Sequence, residues 1–263
     1  MSILLAVLVV TVVGLIGAVI LVLAAKFMYV EEDPRVALVQ ECLPGANCGA
    51  CGYAGCADYA KAIVNGAPVN KCLPGGASAA EGAANVMGVA AGETAVIKAV
   101  VGCQGADGVC KKKYDYEGMS SCKAANALFN GPNACAFGCL GLGDCVKVCQ
   151  FGAIQVENGV AKVISEKCTG CGMCKDVCPK KIIWLHDTAE KPVVLCANHE
   201  KGALTNKECS KGCIACMKCE KNCPESAIKV KDFVARIDYD KCTGCGKCIE
   251  VCPKQVILMP SDI

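Results

Sequence analysis

Three times in this chain four cysteines recur as Cys-x2-Cys-x2-Cys-x3-Cys-Pro. The runs are Cys168, Cys171, Cys174 and Cys178 before Pro179; Cys213, Cys216, Cys219 and Cys223 before Pro224; and Cys242, Cys245, Cys248 and Cys252 before Pro253. Few patterns restrict a fold more. Three closely spaced thiolates can wrap three corners of an iron–sulfur cube, and loop amides can point at its sulfurs. The fourth thiolate, set at a helix start by the proline, reaches across to a second cube. This is the ligand spacing of [4Fe–4S] clusters in two-cluster ferredoxins. Zinc sites instead take pairs of two-residue-spaced cysteines separated by a longer loop.

Crossed ligation follows from the spacing. One cluster takes Cys213, Cys216, Cys219 and Cys252, and its partner takes Cys242, Cys245, Cys248 and Cys223. Further upstream, Cys168, Cys171, Cys174 and Cys149 form a third set. The chain repeats itself at an offset of 74 residues, so that Cys149 matches Cys223, Cys145 matches Cys219, Cys139 matches Cys213 and Cys135 matches Cys209. Before Cys135 the offset grows to 93, where Cys103 matches Cys196, so the first copy carries an insertion with Cys110 and Cys122. Short alternating segments at Ala153–Val156 and Val160–Ile164 flank Asn158–Gly159, a hairpin signal. The expected fold class is α+β, with two tandem ferredoxin-like domains at 98–190 and 191–263.

The fourth cluster of this pair of repeats is irregular. Cys139, Cys145 and the crossing Cys178 are present, but Leu142 stands where the second copy has Cys216. Either a [3Fe–4S] cluster fits the three-thiolate site, or Cys135 supplies the fourth corner. Cys209 weakens the second reading, since it matches Cys135 in a copy that lacks no ligand. A separate module has Cys48-x2-Cys51-x4-Cys56 followed by Cys72. The stretch from Ala57, ended by Gly66, reads as a helix whose N-terminus would face an anionic cluster; zinc is the rival reading here. At least five cluster sites are expected. Cys42, Cys103, Cys110, Cys122, Cys196 and Cys209 are left over, and their default reading is small core residues.

Cysteine supplies 26 of 263 residues while aromatics supply only 5%. Cores of such a chain are organised around clusters, with metal binding coupled to folding. A net charge of +2 and the lack of a basic aromatic motif argue against nucleic acid as a partner. Ile3 to Ala25 carries no charge and is long enough, at about 1.5 Å per residue, to span a bilayer core of roughly 30 Å. No basic residue precedes it, which favours a retained anchor over a secretory signal. Lys26 and Arg35 follow it, whereas Glu31, Glu32 and Asp33 count for little, so the cysteine-rich part is expected in the cytoplasm on the inner face of the cell membrane. The anchor occupies 1–28, and the first cluster module with its linker 29–97. Within that linker Ala37–Leu43 reads as a connection and Ser78–Val89 as a helix. Gly-x-Gly-x-x-Gly is absent, so no dinucleotide site is evident. His186 and His199 lie outside every cysteine run and read as ordinary residues. Lys111–Lys113 and the lysines of Lys207–Lys221 offer long-range attraction for an acidic ferredoxin, but the interspersed Glu208 and Glu220 favour reading them as solvated surface.

Across nearly its whole length the chain resembles the B subunits of the Rnf complex, the membrane-bound ferredoxin:NAD oxidoreductase. The anchor, the stretch LPGANCGACGYAGC at Leu43–Cys56 with Cys72, the GCLGLGDCV stretch at Gly138 and the Cys-Pro runs carry the likeness. It implies that Cys48, Cys51, Cys56 and Cys72 hold one [4Fe–4S] cluster. It also implies electrons entering from reduced ferredoxin and leaving toward other membrane subunits, with Na⁺ or H⁺ moved across the membrane. Leu142 departs from the full ferredoxin pattern. The competing expectation is an anchored polyferredoxin serving a hydrogenase or a similar enzyme.

Overall fold

The computed structural model describes residues 2–27, 33–94, 96–187 and 191–262. The boundaries expected at residues 28 and 190, and the acidic Glu31 and Glu32, lie outside them.

The charge-free N-terminal run forms a 26-residue helix, α1 (Ser2–Phe27). Its window Val7–Ala24 has a mean hydropathy of 3.1, and among the described residues it is the one helix long and apolar enough to cross a membrane. Thr11 is polar, but its hydroxyl donates to the carbonyls of Val7 and Leu8 at 3.0 and 2.9 Å. Hydrocarbon around the helix would therefore strand no polar group there.

The segment read as a connection at Ala37–Leu43 is instead mostly helical. It belongs to α2 (Pro34–Cys42). Asp33 caps this helix by accepting the Arg35 amide at 2.9 Å, and Pro34 suits the first helical position. Those two residues are the start signal in the sequence. α3 (Cys56–Val64) and α4 (Gly76–Met87) pack against α2. Val36, Val39, Tyr59, Ile63, Ala79 and Ala83 are buried between them. Where Cys42 meets α4, a side chain at Gly82 would come within 2.9 Å of its sulfur, so glycine makes room for that thiol. The helix expected at Ser78–Val89 ends at Gly88, whose left-handed backbone (φ +67°) donates its amide to Ala84 O.

After the linker the chain runs β1 (Ile97–Val101), α5 (Cys122–Ala127), α6 (Asp144–Lys147), β2 (Ile154–Glu157), β3 (Val160–Val163), α7 (Met173–Val177) and β4 (Ile183–Asp187). It then runs β5 (Val193–Val194), α8 (Gly202–Glu208), α9 (Lys218–Lys221), β6 (Ile228–Lys231), β7 (Val234–Ile237), α10 (Lys247–Glu250) and β8 (Ile257–Leu258). Among the described residues there are four sheets, each two-stranded and antiparallel. In each copy the middle strands form a hairpin, β2–β3 and β6–β7, while the outer strands pair end to end, β1–β4 and β5–β8. Register shows the repeat directly. Val101 lies opposite Ile183, and Val194 lies opposite Ile257. The hairpin turns use positive φ at both central residues, +47° and +77° at Asn158–Gly159 and +50° and +62° at Asp232–Phe233.

Each copy has a small core in which thiols replace large side chains. Ile154, Val160, Ile182 and Ile183 bury with Cys139, Cys145, Cys168 and Cys174. Ile228, Val234, Val256 and Ile257 bury with Cys213, Cys219 and Cys248. The two copies meet through Val100, Val193 and Leu195, with Trp184 and Tyr239 packed against them. The insertion of the first copy is strapped to the second. Lys111 N–H donates to Glu208 O at 2.8 Å, and Ser210 N–H donates to Val109 O at 3.0 Å.

Candidate metal centres

The second copy shows the geometry most plainly. Cys213, Cys216 and Cys219 line one pocket together with Cys252 and Pro253. Cys242, Cys245 and Cys248 line another with Cys223. Each void, about 20 Å³, thus takes three thiols from one run and one from the run 29 residues away. Burial pushes the Cys219 thiol up to about 12, and Cys213, Cys252 and Cys216 beside it add to the shift. Likewise burial pushes Cys248 up to about 11, with Cys242, Cys245 and Cys223 as thiol neighbours. Such rings resist becoming thiolate by themselves and need cationic iron to hold the charge, which ties metal uptake to folding.

In the first copy Cys139, Cys145, Cys178 and Pro179 line a void of about 20 Å³. The fourth thiol in it is Cys122, from the first turn of α5, and not Cys135. Cys135, one of the two readings for this corner, lines a different pocket with the leftover cysteines. The reason is visible around Leu142, which packs with Leu140 and Ala125 against Cys122. The insertion folds over the position where the second copy has Cys216 and delivers its own thiol. Asp144 fixes that delivery. Its carboxylate accepts the Ser121 hydroxyl at 2.9 Å and the Lys123 amide at 3.0 Å, so α5 is tied to the start of α6, next to Cys145. Burial works against the Asp144 charge, but Lys123, Ser121 and Lys147 outweigh it and hold the carboxyl below its ordinary range.

Cys168, Cys171 and Cys174 also meet Cys149. Burial pushes Cys174 up to about 11, with Cys168, Cys171 and Cys149 among the further causes. Cys149 accepts the Ala153 amide at 3.3 Å, as Cys223 accepts that of Ala227 at 3.3 Å in the other copy. The Ala99 amide of β1 reaches Cys168 at 3.3 Å. Gly170, between Cys168 and Cys171, has φ +70°, and a side chain there would come within 2.4 Å of the Ile97 carbonyl. Only glycine lets this loop lie flat on β1.

In the N-terminal module burial raises the Cys72 thiol, and Cys56, Cys51 and Cys48 raise it further, so all four lie together. Asn47 accepts the Cys56 amide at 2.8 Å and holds the loop over the start of α3. The buried Tyr59 hydroxyl donates to Pro68 O at 2.7 Å and accepts the Lys71 amide at 3.0 Å, pinning the segment that returns Cys72. Burial also raises the Cys171 thiol; the Met173 amide works against that, and Cys48 lies near enough to raise it further. The module therefore sits beside the first copy.

Three loop thiols joined by a fourth from a distant Cys-Pro segment make the donor set of an iron–sulfur cube. A wider cavity between the two copies brings up only Cys103 and Cys252 among the cysteines, so it has no thiol ring. His186 is buried beside Tyr239, with ring centroids 4.7 Å apart, and His199 contacts Asp232 O and Arg236. Neither lines a thiol ring. Among the lysines, Lys112 pairs with Asp107 at 3.1 Å and Lys113 donates to Phe129 O.

Crossed rings of cysteine thiols, arranged one after another along a chain with a membrane-length helix, define an iron–sulfur electron-transfer protein. Three family models agree: an Fe-S cluster family at residues 43–74, a 4Fe-4S binding domain at 161–184 and a 4Fe-4S dicluster domain at 212–256. The B subunit of the ion-translocating oxidoreductase complex of Methanosarcina acetivorans is 43% identical over 232 residues, covering 88% of each chain. The B subunit of the Na(+)-translocating ferredoxin:NAD(+) oxidoreductase complex of Acetobacterium woodii is 44% identical over 87% of this chain and 69% of its own. The proton-translocating counterpart of Clostridium ljungdahlii is 40% identical over 89% and 84%. The chain belongs to this family, the B subunits of ion-translocating ferredoxin:NAD(+) oxidoreductase complexes.

Proposed function

We propose that the chain is the membrane-anchored relay of such a complex, taking single electrons from reduced ferredoxin and passing them to partner subunits. Its fold class, on this reading, is an anchor, a small [4Fe–4S] module and two tandem two-cluster ferredoxin-like domains. Five [4Fe–4S] sites carry it. Cys48, Cys51, Cys56 and Cys72 hold the first. Cys168, Cys171, Cys174 and Cys149 hold the second, and Cys139, Cys145, Cys178 and Cys122 the third. The fourth and fifth are the two crossed sets of the second copy. Cys122 supplies the corner that a [3Fe–4S] cluster would leave open, which favours the four-iron form.

The observation that carries this reading is the crossed ring of four thiols, found in three voids. Each cube, when bound, supplies a one-electron couple inside a thiolate cage that stays in place. The chain's residues set where electrons enter and how easily. Cys216 and Cys245 are exposed, which brings two rings to the surface. Cys48 beside Cys171 brings the N-terminal ring next to the first copy. Amides of Ala153, Ala227 and Ala99 aimed at ligand sulfurs stabilise the more reduced, more negative state. The chain shows no dinucleotide fingerprint, so NAD⁺ reduction and movement of Na⁺ or H⁺ fall to other subunits.

Full-length protein, purified anaerobically in detergent, should lose visible absorption when mixed with reduced ferredoxin and should leave NAD⁺ unreduced. Reduction of NAD⁺ by the pure chain would overturn the relay; failure of every low-potential ferredoxin to bleach it would remove the entry role. On sidedness, Lys26 and Arg35 favour a cytoplasmic position for everything after α1. A reporter fused at the C-terminus should work only when it folds in the cytoplasm, and activity of a periplasm-dependent reporter would reverse the topology.

A further inference from the structure

Five cysteines outside the rings face one another. Cys103, Cys110, Cys135, Cys196 and Cys209 line one narrow pocket where the first copy, its insertion and the second copy meet. Its cavity of about 20 Å³ equals those at the thiol rings already described. Cys110, Cys135, Cys196 and Cys209 are all buried, at 7–9% exposure. Apolar side chains would pack such a place without a polar atom, yet this chain lines it with five thiols.

Sulfur here also receives the amide bonds seen at the other rings. Cys103 accepts the amides of Gly105 and Cys139, each at 3.3 Å. Cys196, its partner in the repeat, accepts the Cys213 amide at 3.3 Å. The side chain of Asn198, 2% exposed, points its amide at Cys135 at 3.5 Å. Cys139 and Cys213 are themselves ring cysteines of the neighbouring voids, so this void abuts one ring in each copy.

We infer that this void holds a sixth [4Fe–4S] cluster, ligated by Cys103, Cys135, Cys196 and one thiol of the pair Cys110 and Cys209. Cys110 and Cys209 lie opposite each other in an antiparallel bridge. A cube takes four thiolates and Cys103, Cys135 and Cys196 fill three, so either of the pair can fill the single remaining corner. The ligands come from both copies, so the cluster bridges them and closes the gap between the rings of Cys139 and Cys213. It also staples the insertion where Lys111 and Ser210 already bond across. This site goes beyond the five proposed above and shares only their premise that the chain takes up [4Fe–4S] clusters.

Native mass spectrometry and iron–sulfide assay of the anaerobic full-length protein test it. The parent should carry six clusters. Cys196→Ser and Cys135→Ser should each lose four irons while the reduced-state signals of the Cys242 ring persist. Cys110→Ala and Cys209→Ala should each keep the parent's iron, and the double variant should lose four. Cys42→Ala, remote in the α2–α4 packing, should lose none. Full iron retention in the Cys110/Cys209 double variant, or five clusters in the parent with no loss in Cys196→Ser, would overturn the inference. In either case the five-site reading would still stand. A parent without iron would instead sink that reading.

Discussion

Replacing Cys223 with alanine should damage the cluster of the Cys242 run and spare that of the Cys213 run, although Cys223 belongs to the latter in sequence. Cys252→Ala should do the reverse. Each variant should lose iron from that one ring and change one set of paramagnetic signals after reduction. The cause is the direction of two thiols. Cys223 follows the short α9, takes the Ala227 amide at 3.3 Å and faces the void of Cys242, Cys245 and Cys248. Cys252 follows α10 and faces that of Cys213, Cys216 and Cys219. Three thiolates hold a cube poorly once a corner is lost, and metal uptake is coupled to folding of the small core around it. If each substitution emptied its own run instead, the tandem ferredoxin arrangement would be wrong.

The second large effect belongs to Cys122. Cys122→Ala should leave Cys139, Cys145 and Cys178 around a cube with one open corner. The labile iron should dissociate, giving one iron fewer per chain and a three-iron signal in the oxidised protein that the parent lacks. Cys135→Ala should leave this ring untouched. A three-iron signal from Cys135→Ala, with Cys122→Ala silent, would restore Cys135 to the ring and refute the placement of α5. Asp144→Ala should act in the same direction more weakly. It frees Ser121 and the Lys123 amide while leaving the thiol itself, and hydrogen bonds to a charged group contribute about 1.5–3 kcal/mol.

Much of the molecule is legible in one dimension because its information is local. A Cys-x2-Cys-x2-Cys loop places three thiols within seven residues, so ring geometry is nearly a property of the loop. Asn158–Gly159 and the alternating residues beside it encode a hairpin without help from the rest of the chain. An offset of 74 residues, growing to 93 before Cys135, relates the two copies, and Val101–Ile183 and Val194–Ile257 fall at matching registers. The Ile3–Ala25 run is enough for α1. The start of α2 is also local, in Asp33–Pro34, but its short, mixed sequence buries only Val36 and Val39 and shows little apolar periodicity.

Other features exist only once distant segments meet. Cys122 lies 17 residues before Cys139 in an insertion with no spacing rule, and it becomes a ring thiol because α5 folds over Leu142 and is tied down by Asp144. Cys103, Cys110, Cys135, Cys196 and Cys209 span more than a hundred residues, with no motif to join them. Only the packing of the two copies against each other brings them to one void. By itself, then, the sequence determined the thiols that a single loop or an internal repeat can place. The tertiary structure decided those whose position depends on where an insertion docks and how two copies face. A cluster needs four thiols close in space, and spacing along the chain constrains only those a short loop can hold together.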